Sequence, residues 1–171
     1  MTDRLHSDSA LVHFSERLTN SAAFSTLFRE GMDLVEETAA YLDGPGRKES
    51  KLLERGAALA YATESMRLTT RLMQLASWLL LHRAVNEGEM SLAQASQEKI
   101  KVKFSADPAD SEAIGLLPQS LRDLIARSVK LQERVRRLDA TIHSGPAPSP
   151  ETNPVERQLG LLKAAFERKL P

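Results

Sequence analysis

Cysteine is absent from all 171 residues. That excludes disulfides, cysteine nucleophiles and thiolate metal sites, and it fits a reducing cytoplasm. Net charge is absent too, since 23 Lys and Arg balance 23 Asp and Glu, which disfavours a globally basic nucleic-acid binder. No apolar run approaches the roughly 20 residues of a membrane span; the longest cluster, Leu75 to Leu81, is far shorter. The polar N-terminal stretch from Met1 to Ala10 lacks the apolar region of a signal peptide. Strand-like alternation and solenoid-type repeats are missing as well. The expectation is an all-α, cytoplasmic protein.

What the sequence does have is helical periodicity. Ala57 to Asn86 is free of glycine and proline. Leu59, Ala62, Met66, Met73, Ala76 and Leu80, completed by Thr69, form one stripe at alternating steps of three and four. Leu68, Leu72, Leu75 and Leu79 form a second, nearly opposite, because nine residues at about 100° each turn a helix half-way round. A helix apolar on two opposed sides must be covered on both, which makes this the central element of a bundle. A preceding helix spans about 21–42, with Phe24, Phe28, Gly31, Val35, Thr38 and Leu42 as its stripe and Glu30, Asp33, Glu36 and Glu37 on its back. Asp43-Gly44-Pro45-Gly46 ends it. The central helix, starting near Ser50, is stopped by Gly88, and Ser91 caps a short helical segment. Residues 101–116 read as an irregular acidic loop. A third helix opens at Pro118 and carries Leu117, Leu121, Leu124, Ser128, Leu131, Val135, Leu138 and Ile142 in strict four-three spacing.

These patterns predict an antiparallel three-helix bundle over 21–143. It follows a flexible segment, 1–20, and precedes a proline-rich linker, 144–154. A C-terminal helical tail, 155–171, presents Val155, Leu159, Leu162 and Phe166. The expected shared core comprises Phe28, Val35, Met66, Met73, Leu80, Leu124, Leu131 and Val135. Residues 21–43 carry net charge −4 and residues 117–142 net +3, so the first and third helices are complementary neighbours, although exposed pairs contribute little each.

Searches for chemistry return little. His6, His13, His82 and His143 lie far apart without metal-ligand spacing, and no Gly-rich phosphate loop or nucleophile elbow occurs. The acids of the first helix face away from its stripe and have no histidine partner, unlike a bundle di-metal site. No cofactor and no metal are expected, and the sequence does not read as an enzyme. One sector stands out: Glu64, Arg67, Arg71, Gln74 and Trp78, between the two stripes of the central helix. Arginine beside the only tryptophan has the composition of an interface hot spot, with packing of Trp78 inside its own chain as the equal alternative. Glu36, Glu37 and Arg47 complete the candidate protein-interaction set. The competing reading is a ligand-responsive module that holds a nucleotide or other anion through Arg47, Lys48, Arg67 and Arg71.

The runs Phe28–Arg47 and Ser50–Val85, with Glu87–Ala95 after them, resemble the alphaproteobacterial family of regulators of CtrA degradation, RcdA, also known as DUF1465. The resemblance covers roughly residues 24–100, and extends to 117–142 by pattern and position. It implies a dimeric three-helix bundle acting as a non-enzymatic adaptor for the ClpXP protease in cell-cycle proteolysis. It further implies tethering through a CpdR-like response regulator, contact with substrates or with a PopA-like cyclic di-GMP effector, and recruitment to a cell pole. A homodimer is expected; nucleic acid and membrane are not.

Overall fold

A computed structural model describes residues 22–99 and 111–143; the expected N-terminal segment, linker and C-terminal tail lie outside them. The described residues form six helices and no strand: α1 (Ala22–Asp43), α2 (Pro45–Ser50), α3 (Arg55–Asn86), α4 (Leu92–Lys99), α5 (Ser111–Gly115) and α6 (Gln119–His143).

α1 buries Phe24, Leu27, Gly31, Leu34, Thr38 and Tyr41. This stripe shares Phe24, Gly31 and Thr38 with the expected one but is rotated, leaving Phe28, Val35 and Leu42 half-buried. Gly31 sets the rotation. A β-carbon there would collide with Leu79 of α3 and lie 3.7 Å from Leu131 of α6, so all three long helices converge on a position that only glycine fills.

The turn after α1 does not simply stop the helix. Pro45 sits in the first turn of α2, where its missing N–H has no consequence. Gly46 is packed under two tyrosines, its virtual β-carbon 2.5 Å from Tyr61 Oη. Tyr41 Oη donates to Glu49 Oε2 at 2.7 Å, and burial, reinforced by this bond, raises the Tyr41 phenol well above its ordinary value.

α3 starts at Arg55 rather than near Ser50, because residues 51–54 form a turn. Its end is as the sequence predicts. Gly88 adopts φ +74°, Glu89 N–H donates to Ala84 O and Gly88 N–H to Val85 O, the two bonds of a Schellman motif. At α4, Ser91 Oγ accepts from Gln94 N–H at 3.1 Å while Gln94 Oε1 accepts from Ser91 N–H at 2.9 Å, a reciprocal capping box. α5 is one helical turn within the stretch read as an irregular loop.

The predicted seam of α6 is buried from Leu117 to Ile142, with Leu138 alone half-buried. The bundle is as expected, with one difference in direction. Glu37 and Glu30 meet Arg127 and Arg134, so α1 and α6 are antiparallel. Phe24 packs on Trp78 and Tyr41 near Tyr61, so α1 and α3 are antiparallel too. Arg71 meets Ser128 and Trp78 meets Asp139, so α3 and α6 run parallel. The connection from Glu87 to Pro118 is long enough to return the backbone to the opposite end before α6 begins.

The larger correction concerns α3. Leu68, Leu72, Leu75 and Leu79 are the buried stripe, whereas Leu59, Met66, Met73 and Leu80 are 70%, 72%, 66% and 52% exposed. Met66, Met73 and Leu80 are therefore not core. α1 and α6 both pack on one side of α3, and no other described element covers its opposite side.

Candidate interaction surface

Three surfaces follow from this arrangement. On the open side of α3, Leu59, Met66, Met73 and Leu80 recur every seven residues. Seven residues fall about 20° short of two helical turns, so the four side chains make a nearly straight line about 32 Å long at 1.5 Å per residue. Thr69 and Ala62 are exposed between them. A sustained seven-residue repeat is the spacing of a helix–helix seam, and four exposed large apolar residues in line make this side of α3 a candidate interaction surface. At its lower end Leu59 also lines a groove of about 400 Å³ with Leu116, Ala113 and Glu112.

The second surface is the polar seam between α3 and α6. Glu64 is buried, and Arg67 Nη1 contacts its Oε1 at 2.7 Å, because a carboxylate removed from water must be paired. Arg71 Nη1 donates to Ser128 Oγ at 2.9 Å, and Ser128 Oγ in turn donates to Ile125 O at 2.7 Å. Burial lowers the Arg71 pKa, opposed by Glu64 and assisted by repulsion from Arg136 and Arg67. Farther along, Trp78 Nε1 donates to Asp139 Oδ1 at 2.7 Å. His82 stacks on the indole with ring centroids 3.9 Å apart, its Nδ1 2.9 Å from Trp78 O.

Trp78 is 0% exposed. The hot-spot reading of this tryptophan is therefore corrected: it belongs to the core, with its N–H satisfied by Asp139. Glu64 is likewise shielded from outside contact. Arg67, Arg71 and Gln74 remain partly accessible.

The third surface is the boundary between α1 and α6. Arg127 grips Glu37 with two bonds, each 2.7 Å, and Arg134 pairs with Glu30. The Arg127 guanidinium holds the Glu37 carboxyl below its ordinary pKa. The charge complementarity read from the sequence thus takes the form of a ladder, with Asp33 and Lys130 lining the groove between its rungs. Glu36 is exposed on the same helix, and Arg47 is exposed on α2. Arg67 lines the groove beside Leu59 while Arg47 lines none of these grooves; the cations proposed to share a nucleotide are split between the α2 turn and the α3–α6 seam.

Sequence reasoning misses the contributions of Gln132 and Asp139. Each directly follows a seam position, Leu131 and Leu138, and that adjacency is the signal that places them at the α3 border.

The comparisons fit this geometry. The family model described as "Protein of unknown function (DUF1465)" matches residues 15–166. The crystal structure of RcdA from Caulobacter crescentus CB15 is similar at 52% identity with a TM-score of 0.64, over 76% of this protein and 98% of that one. No curated protein matches.

Proposed function

The protein belongs to the DUF1465 family, and from that premise we propose that it is a non-enzymatic adaptor in regulated proteolysis. In this reading it acts in the cytoplasm and helps deliver cell-cycle regulators such as CtrA to the ClpXP protease. Its 52% identity to RcdA, a regulator of CtrA degradation, supports the pathway. The exposed line Leu59–Met66–Met73–Leu80 carries the mode of action, because it is a surface for another protein. A CpdR-like response regulator, ClpX-associated factors and a PopA-like cyclic di-GMP effector are the proposed partners. Affinity capture from the native cytoplasm tests this. ClpX or a CpdR-like protein among identified partners supports the adaptor; recovery of only nucleic acid or metabolites rejects it.

The same line supports a homodimer. Its residue types are palindromic about the Thr69–Thr70 bond: Leu59 mirrors Leu80, and Met66 mirrors Met73. Two copies of α3 crossing antiparallel on a two-fold axis there would match like with like, as an isologous interface requires. The absence of native cysteine makes the register testable. Thr69→Cys should oxidise to a cross-linked dimer, and Leu59→Cys should cross-link to Leu80→Cys but not to itself. A monomer mass by light scattering at every concentration would reject the dimer.

A further inference from the structure

Every exposed residue of α3 from Leu59 to Leu80 is uncharged; beside the four large apolar residues these are Ala62, Thr63, Thr69 and Thr70. Partner choice along a helix–helix seam is set largely by charges on its flanks. This face has none, so charge does not choose an outside protein for it. A segment of the same chain needs no such choice. A short linker holds it near the face at an effective concentration on the order of mM.

The chain carries a segment that matches. Val155, Leu159, Leu162 and Phe166 recur at steps of four, three and four. Counted back from Leu80, α3 shows the same steps in Leu80, Ala76, Met73 and Thr69. Each stripe is about 16 Å long at 1.5 Å per helical residue. Set antiparallel, Leu159 faces Ala76 and Phe166 faces Thr69, so large residues meet small ones, as close packing asks. The family model runs to residue 166 and so takes in the whole segment.

Reach fixes the direction. Trp78 bonds Asp139 and the two helices run parallel, so His143, one turn on, is level with His82. From there the open side of α3 is at most half a circle away at the packing distance of helices, about 25–30 Å. The linker 144–154, with Pro146, Pro148, Pro150 and Pro154, spans about 34 Å at 3.1 Å per extended residue. It reaches the Leu80 end. The Leu59 end lies about 32 Å farther down α3, more than about 40 Å away on the diagonal, and is out of range. We propose that residues 155–166 dock as a helix on the open side of α3, antiparallel to it, with Val155 at Leu80 and Phe166 at Thr69, and that this contact excludes a second copy from the same stripe. Docking goes beyond the adaptor reading and does not depend on it. The exclusion rests on the homodimer, whose two-fold axis requires Leu80 of one copy to meet Leu59 of the other.

The test uses the full chain. Its lack of cysteine lets a nitroxide be placed at Lys163→Cys alone, with isotope-labelled Leu and Met methyl groups reporting their distance from it. Leu80 and Met73 should broaden strongly, and Leu59 several-fold less. Mixing spin-labelled with isotope-labelled protein separates contacts within one chain from contacts between copies. Leu162→Asp combined with Phe166→Asp should abolish the broadening, keep the helix content of the bundle and tighten self-association at least several-fold by sedimentation. Equal broadening at Leu59 and Leu80 would overturn docking. So would broadening confined to the mixed sample, or broadening that survives the two aspartates. Unchanged association once the broadening is lost would overturn the exclusion of a second copy. The readout needs no partner protein, so absent broadening sinks this proposal even where capture recovers ClpX. Failed capture beside the expected broadening sinks the adaptor reading alone.

Discussion

The two apolar faces of α3 share one backbone and nearly the same composition, yet one is core and the other is open. Leu68, Leu72, Leu75 and Leu79 are at most 4% exposed; Leu59, Met66, Met73 and Leu80 are all more than half exposed. The chemistry of the side chains does not separate them, because leucine occurs in both. What separates them is where the neighbours attach. Gly31 lets α1 settle against Leu79, Ser128 and Asp139 fasten α6 to Arg71 and Trp78, and these fasteners lie on the buried side. Apolar periodicity shows which faces need cover, and polar contacts decide which face the protein covers by itself.

Truncating the buried side breaks the comparison most severely. Trp78→Ala should destabilise by about 3–5 kcal/mol and Leu72→Ala by about 2–5 kcal/mol, read as a shift in the midpoint of chemical denaturation. Losses below about 1 kcal/mol for both would show that the faces have been assigned the wrong way round. Gly31→Ala probes the convergence point. Because Leu79 is fully buried and cannot move aside freely, it should cost about 1–3 kcal/mol; a neutral result would mean that α1 stands farther off.

The open side should behave in the opposite way. Met73→Ala, measured in dilute protein, should change stability by less than about 0.5 kcal/mol, as at an ordinary surface position. Met66→Glu combined with Met73→Glu should leave helix content intact and weaken self-association at least tenfold, about 1.4 kcal/mol, as seen by sedimentation. Unchanged association would move the interface elsewhere.

A pH-dependent effect belongs to a position on neither face. Glu37 has a folded-state pKa below its ordinary 4.5 because of Arg127. Its contribution is therefore complete above about that value and disappears as the pH falls through the lower folded-state value. Both partners are half exposed, so the gain is within about 1 kcal/mol. Glu37→Gln should flatten the acid limb of the stability profile by that amount and leave neutral-pH structure unchanged.

Legibility in the sequence followed the number of apolar stripes. α6 has one, and its seam from Leu117 to Ile142 was readable residue by residue. The stop at Gly88 and the cap at Ser91 were equally plain, because their side-chain chemistry fixes local backbone geometry. α3 has two stripes, and a periodic pattern does not say which partner reaches which. That is why Met66, Met73 and Leu80 were expected in the core. The direction of α6 was hidden for a different reason: helical periodicity has no sense along the axis, so only contacts such as Arg71–Ser128 reveal it. Of the candidate residues, Arg67 and Arg71 lie at the α3–α6 seam, and the two equal readings of Trp78 were not separable in the sequence, since its covering depends on Asp139 sixty-one residues away.

The parallel run of α3 and α6 has an electrical consequence. Each helix carries partial charges equivalent to roughly +0.5 at its N-terminus and −0.5 at its C-terminus. Three such dipoles cannot cancel completely, and the parallel pair fixes which end keeps which sign. The C-termini of α3 and α6, at Asn86 and His143, share one end with the single N-terminus of α1, at Ala22. The N-termini of α3 and α6 share the other end with the C-terminus of α1. The bundle is therefore polarised along its length, with about half a charge of backbone origin left over at each end. An approaching charged partner meets two ends of opposite sign on a protein whose formal charges sum to zero.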